Sequence, residues 1–329
     1  MIRNLKVNED ARQQELAIKI LAACPELIAR YWSSPIIALE PRLSSKWIAD
    51  IAFYGSVISL PIPESSLLLQ DHDRPLCNPV PPPLFTIVDN VLPSTNIKTR
   101  FSRGLQANSP LVQHCSALAL VKCLLKFEAV LRTFERVANS LEEEEEGQWR
   151  RRLHEVEREI RKRVPDFQVV VSFAQKTLSD AATSSGQPSD QNSKANPMRA
   201  TLLSESAQRL LRLDHRCLPF LVAEARFDVG KLLTGIQSAM LSSGSSPVNT
   251  VVGMEVLRQL HVFRLLDESD QFGWSGRASG SLHTNFWTLL KIYAANESCT
   301  IRAAIATLLE RSLSNSSLFQ HDATRSPFG

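Results

Sequence analysis

Residues 111–138 read LVQHCSALALVKCLLKFEAVLRTFERVA, and this stretch decides the fold class. Its apolar side chains (Val112, Cys115, Leu118, Leu120, Val121, Leu124, Leu125, Val130, Leu131, Phe134) recur at helical spacing, with no strand alternation. A face that wide needs neighbours on two sides, as in stacked helical layers.

The helical period extends in both directions from this element. Upstream, residues 9–23 (EDARQQELAIKILAA) place Leu16, Ile18, Ile20 and Leu21 on one face behind an acidic start. Pro25 opens a short helix through Tyr31, where its missing N–H costs nothing. Ser44 or Ser45 caps a helix from about Trp47 to Leu60 by accepting orphan amide protons. Residues 61–83 (PIPESSLLLQDHDRPLCNPVPPP) hold seven prolines and form an extended loop, because proline lacks the donor that a helix needs. A short helix over 84–92 follows.

Downstream, residues 141–164 form a helix of another kind. Ser140 and Glu143 fit a capping box. Glu142 to Glu146 stand at its start and Arg161, Lys162 and Arg163 at its end, an order that complements the helix dipole. Glu146–Arg150, Glu157–Arg161 and Glu159–Arg163 are spaced for i,i+4 pairing, and Trp149, Leu153, Val156 and Ile160 make a narrow seam. After another helix through Leu178, residues 179–198 are rich in Ser, Ala, Asp, Asn and Gln and read as a disordered linker. Helices resume at about 199–213, 219–241, 250–266, 283–294 and 299–313, and the tail 314–329 is polar and loose. The expectation is an all-α fold, an irregular armadillo- or HEAT-like helical-repeat solenoid. It has one repeat segment over 1–178 and a second over 199–313.

Composition narrows the function classes. The chain has 329 residues, 43% hydrophobic and 22% charged, which is ample for a globular core. A net charge of +3 is too small to imply nucleic acid by itself. The six cysteines (Cys24, Cys77, Cys115, Cys123, Cys217, Cys299) show no metal-like spacing and suit a reducing compartment. No secretory h-region opens the chain, and its longest weakly charged run is broken by polar residues, which argues against a membrane span.

Catalytic signatures are missing. The chain lacks a phosphate-binding glycine loop, GxSxG and HExxH, so no enzyme, cofactor or small-molecule substrate is expected. His215 and Cys217 make only two ligands where a metal needs three or four. His114 and Cys115 are adjacent on a helix and diverge by about 100°, so they are not a dyad. Two basic segments are candidates for RNA contact. In NIKTRFSRG (96–104), Lys98, Arg100 and Arg103 flank Phe101, either as a loop that holds phosphates and stacks a base or as a solvated loop with Phe101 tucked into the core. The second segment is Arg150 to Arg152 with Arg161, Lys162 and Arg163, although eight glutamates oppose seven basic residues over 142–163, the balance of a solvated, self-paired helix. Tyr31, Trp32 and Trp47 read as helix-junction packing, each with its polar tip on a partner, and Arg42 beside Glu40 closes the turn between them.

The order of these markers resembles a known family. ACPELIARYW, EPRLSSKWIADIAFYGSVISLP, PPPLFTIVDNVLP and KTRFSRGLQANSPLVQHCSALALVKCLLKF follow one another as in the N-terminal region of the nucleolar pre-ribosomal-associated protein 1 family. The positions that carry the likeness are Pro25, Leu27, Tyr31, Pro41, Arg42, Trp47, Gly104, Leu105, Asn108, Leu111 and Val112. The similarity is good over about 15–178 and continues through VFRLLD and NFWTLLKIYAA to about residue 312. The resemblance implies a non-catalytic helical-repeat scaffold of the nucleus and nucleolus that acts early in large ribosomal subunit assembly. Its partners would be pre-ribosomal RNA and early assembly factors, including an RNA helicase. Family members are several times longer, so the chain is expected to be a fragment, a truncated gene model or a divergent short form.

Overall fold

The computed structural model describes residues 2–32, 38–63, 67–69, 76–93, 96–183, 195–219, 230–242, 249–269, 272–277 and 282–314. Among them the regular structure is all helical, with no strands beyond two isolated antiparallel bridges, Leu68–Cys77 and Arg277–Thr284. The helices are α1 (Ala11–Ala23), α2 (Leu27–Trp32), α3 (Ser45–Ile58), α4 (Leu84–Val91), α5 (Ile97–Leu105), α6 (Pro110–Ser140) and α7 (Gln148–Arg163). They continue with α8 (Phe167–Thr183), α9 (Ala195–Cys217), α10 (Gly230–Ser242), α11 (Asn249–Glu268), α12 (Asn285–Ala295) and α13 (Cys299–Ser314). No helix among the described residues is long and apolar enough to cross a membrane.

The helix starts have local causes. The Asp10 carboxylate accepts from the Arg12 and Gln13 amides at 2.8 and 3.4 Å and caps α1. These bonds hold the Asp10 carboxyl below its ordinary range. Leu16 faces solvent and Ala17 is buried beside Leu21, so the α1 contact face is rotated one residue from the expected one. Pro25 stands outside α2, and its carbonyl accepts from the Ile28 amide at 3.1 Å in a preceding turn. Ser44 is the cap of α3, with its Oγ accepting from the Trp47 amide at 3.2 Å. Pro110 occupies the first turn of α6, where an unbonded N–H is normal.

The expected helix over 141–164 is shorter than its sequence suggests. The α6 helix runs on to Ser140, Glu142 takes a left-handed φ of 51°, and α7 starts only at Gln148. Ser140 Oγ donates back to the Arg136 carbonyl at 2.8 Å, so it caps nothing downstream. Glu143 does cap α7, from outside the helix, accepting from the Trp149 and Arg150 amides at 3.0 and 3.4 Å. Gly147 is the residue that lets this happen, since a Cβ there would lie 2.3 Å from Glu143 Oε2.

The chain divides into two compact units, 1–170 and 171–329. In the first, α6 is central, packed by α3, α4, α5 and α7, while α1 lies on α3 and α2 on α4. Its core includes Trp47, Phe53, Tyr54, Phe127 and Trp149, all 1% exposed or less. The Trp149 ring stands edge-on to Phe134 at 5.0 Å, and its Nε1–H donates to the Asn78 carbonyl at 2.8 Å. In the second unit α9 packs on α11, α10 on α12, and α11 on α13. The division falls inside α8, ahead of the 179–198 segment. From Val171 onward that helix joins the second unit, with Gln208 Nε2 donating to the Ala174 carbonyl at 3.4 Å. Of the expected linker, α8 reaches Thr183 and α9 begins at Ala195, while 184–194 lies outside the described residues. The tail beyond Ser314 and residues 220–229 of the expected 219–241 helix also lie outside them.

Candidate nucleic-acid interface

Residues 97–105 form helix α5 where a loop was expected. Ile97, Phe101 and Leu105 recur every four residues and are buried, so the stretch is an amphipathic helix packed on α6. Phe101 is 3% exposed, with its ring 6.2 Å from that of Tyr54. Of the two expected placements it takes the second, in the core, so its face is not open to a base. The cations stay on the outer face of α5. Lys98 donates to Asp166 Oδ1 and Arg103 to Glu40 Oε1, each at 2.6 Å. Arg100 is half-buried and has no carboxylate partner among the described residues.

The second basic segment closes α7. Arg163 reaches across to α4, donating to Asp89 Oδ1 at 2.7 Å and to the Leu92 carbonyl at 2.9 Å. That contact replaces the expected Glu159–Arg163 pair, and Glu159 instead binds Lys162 at 2.6 Å. The expected Glu146–Arg150 pair is also re-sorted: Glu146 meets Arg151 at 3.3 Å, and Arg150 donates to the Asn139 side chain at 3.2 Å. Arg161 and Lys162 remain exposed.

The two segments lie far apart in sequence but share one edge of the first unit. Lys98, at the start of α5, binds Asp166 just beyond the end of α7, and the two helices touch. Lys98 thus stands near the end of α7 that carries Arg161 and Lys162, and Arg103 lies about one and a half turns further along α5. Lys98–Asp166, Arg103–Glu40 and Lys162–Glu159 each have at least one largely exposed partner. Exposed ion pairs of this kind contribute about 0–1 kcal/mol, so a phosphate can replace the carboxylate at small cost.

The aromatic junction lies behind this edge. Tyr31 is buried, edge-on to Trp32 at 5.5 Å and to Phe53 at 6.0 Å, and Trp32 lies 5.1 Å from Tyr54. Tyr31 Oη, Trp32 Nε1 and Trp47 Nε1 are buried with no hydrogen-bond partner among the described residues, contrary to the expectation that each tip finds one. Burial, and then the Asp50 carboxylate, push the Tyr31 hydroxyl up to about 12. Asp50 is itself shifted upward by burial. Arg42 is exposed and does not close the turn with Glu40, because Glu40 is taken by Arg103 of α5. Gly104 fixes the α5–α6 crossing: a Cβ there would sit 2.2 Å from Ser116 Oγ and 3.6 Å from Pro41 Cγ.

The weaker chemical candidates are placed as follows. Cys115 is half-buried and burial raises its thiol, the opposite of an activated nucleophile. His215 and Cys217 are both buried at the end of α9. Among the described residues no three His, Cys, Asp or Glu side chains converge to hold a metal ion. All six cysteines are free. One feature the spacing did not reveal is a cleft of about 450 Å³ lined by Arg3, Lys6, Asn8, Ser45 and Lys46. Its basic residues come from two segments some forty positions apart, which no local pattern joins.

Residues 1–50 match the Npa1 family model described as ribosome 60S biogenesis N-terminal. The chain is 23% identical over 95% of its length to nucleolar pre-ribosomal-associated protein 1 of Homo sapiens. It is 22% identical over 93% to the Mus musculus protein of the same name. To that of Saccharomyces cerevisiae it is 26% identical over 54% of its length. The chain spans 14% of the length of the human and mouse relatives and 9% of the yeast one. No solved structure matches it. Along nearly its whole length, therefore, the chain is similar to nucleolar pre-ribosomal-associated protein 1, and its start carries the N-terminal match of the 60S biogenesis family.

Proposed function

We propose that the chain is a non-catalytic scaffold module of large ribosomal subunit assembly, working in the nucleolus on pre-ribosomal RNA and early assembly factors, an RNA helicase among them. The observation that carries this is the 95% coverage by a relative named as a nucleolar pre-ribosomal-associated protein, together with the 60S biogenesis match over residues 1–50. The fold suits the role. Helices that contact the element two positions on (α1 with α3, α2 with α4, α9 with α11, α10 with α12) fit an irregular armadillo- or HEAT-like solenoid. Such an array offers long surfaces and needs no active site. RNA would lie along the edge formed by the start of α5 and the end of α7, with Lys98, Arg103 and Lys162 exchanging their carboxylates for phosphates and the exposed Arg161 adding a further cation.

A second reading is an interaction module that binds only proteins. It is favoured by one observation: Lys98, Arg103, Lys162 and Arg163 each already hold an acidic partner. Salt dependence separates the two. The test is purification of the tagged chain from nuclear extract, with and without RNase, followed by sequencing and mass spectrometry. The scaffold reading expects large-subunit precursor RNA and assembly factors. Recovery of proteins alone, unchanged by RNase, supports the second reading, and recovery of neither from a folded chain refutes both.

A further inference from the structure

We propose that the start of α12 is a stacking platform for an unpaired RNA base, built from Trp287, Lys291 and His283. This deepens the RNA-binding reading above, on which it rests. Leu257 and Leu282 are at least as exposed, but Trp287, 48% exposed, is the one aromatic among the exposed large hydrophobic side chains of the second unit's described residues. Its backbone is fixed, since its amide donates to Thr284 Oγ1 at 3.3 Å in the helix cap. The Lys291 ammonium, one turn on, lies 5.9 Å from the indole centroid and donates to His283 Nε2 at 3.0 Å. The exposed His283 ring lies beside the ammonium, its centroid 6.4 Å from that of the indole. On the neighbouring helix α13, Arg302 lies 5.3 Å over the Tyr293 ring, a second cation held against an aromatic.

Charge decides what this surface fits. On the α5–α7 edge most of the cations hold an acid, whereas Lys291 and Arg302 have no carboxylate partner among the described residues. The α12 sequence, NFWTLLKIYAA, contains no acidic residue. An ammonium set over a half-exposed indole, with no carboxylate on it among the described residues, matches a nucleotide: the base stacks against the indole and its phosphate meets Lys291. A protein partner of the usual apolar kind would leave the ammonium unmatched.

The test is fluorescence anisotropy of a labelled twelve-nucleotide oligouridine titrated with the full chain, folded as judged by circular dichroism. Wild type is expected to bind. Trp287→Ala should weaken binding roughly tenfold, the loss typical of removing one stacked base. Trp287→Phe, which keeps a ring, should lose less. Lys291→Ala should weaken binding and lower the salt slope by about 0.7. The doubly reversed Lys98→Glu/Arg103→Glu chain separates the two sites. If that variant loses binding while Trp287→Ala retains it, the platform is refuted and the α5–α7 edge stands. No binding by wild type, equal binding of a duplex, or loss of a protein partner with unchanged RNA affinity in Trp287→Ala would also overturn the platform.

Discussion

Replacing Gly104 by alanine tests the packing at the centre of the first unit. The added Cβ would lie 2.2 Å from Ser116 Oγ and 2.8 Å from Ser116 Cβ, so α5 and α6 must separate by more than an ångström or Ser116 must shift. Ser116 is 1% exposed in the middle of the crossing and has little room to give. Overpacking of this kind costs about 1–3 kcal/mol. Alanine returns about 1 kcal/mol of helix propensity at a position inside α5. The net expectation is a loss of up to about 2 kcal/mol. Ser116→Gly removes both clashing atoms, so the double variant should recover most of the packing loss, giving a coupling of about 1–3 kcal/mol. Urea unfolding of the full chain, followed by tryptophan fluorescence, reads this out, since Trp32, Trp47 and Trp149 lie in the first unit. A Gly104→Ala chain at least as stable as wild type, or a double variant showing no coupling, would refute the close-approach argument.

The remaining expectations concern charge and burial. Asp214 is 3% exposed and burial pushes its carboxyl up to about 7, so the folded state holds a proton that the unfolded chain has released. Its stabilising effect is present below about pH 4 and is lost as pH rises to about 7. Thermal melts should therefore show a stability decline over that range which is absent in Asp214→Asn; parallel profiles would contradict it. Arg163 is mostly buried and serves both Asp89 and the Leu92 carbonyl, so Arg163→Ala should cost about 1–3 kcal/mol in urea unfolding. Trp149 is fully buried, and Trp149→Ala should cost about 3–5 kcal/mol; a loss below about 1 kcal/mol would show that the cavity collapses. Charge reversal at Lys98 and Arg103 should leave the melting temperature within a few degrees of wild type while weakening RNA binding and flattening its salt dependence.

The sequence was most informative where local chemistry dominates. The α6 stripe, the Ser44 cap and the cationic end of α7 follow from propensity, capping and dipole, all local effects. The α5 helix was also written there, as Ile97, Phe101 and Leu105 at four-residue spacing, but three cations and a glycine within nine residues masked it. The fates of those cations were not legible at all. Arg103 meets Glu40 across 63 positions and Lys98 meets Asp166 across 68, and tertiary packing alone sets such pairs. The partners of the aromatic tips near Tyr31 are hidden for a similar reason, since burial is visible in a pattern but hydrogen-bond geometry is not. Trp287 sat unnoticed in an apolar run, because exposure of one ring depends on which neighbours fail to cover it.

Sedimentation of the tagged chain from nuclear extract tests the scaffold role most directly. Through a sucrose gradient the chain should travel with large-subunit precursor particles and shift to the top after RNase treatment. A folded chain that stays at the top without RNase, apart from every precursor particle, would contradict the role in large-subunit assembly.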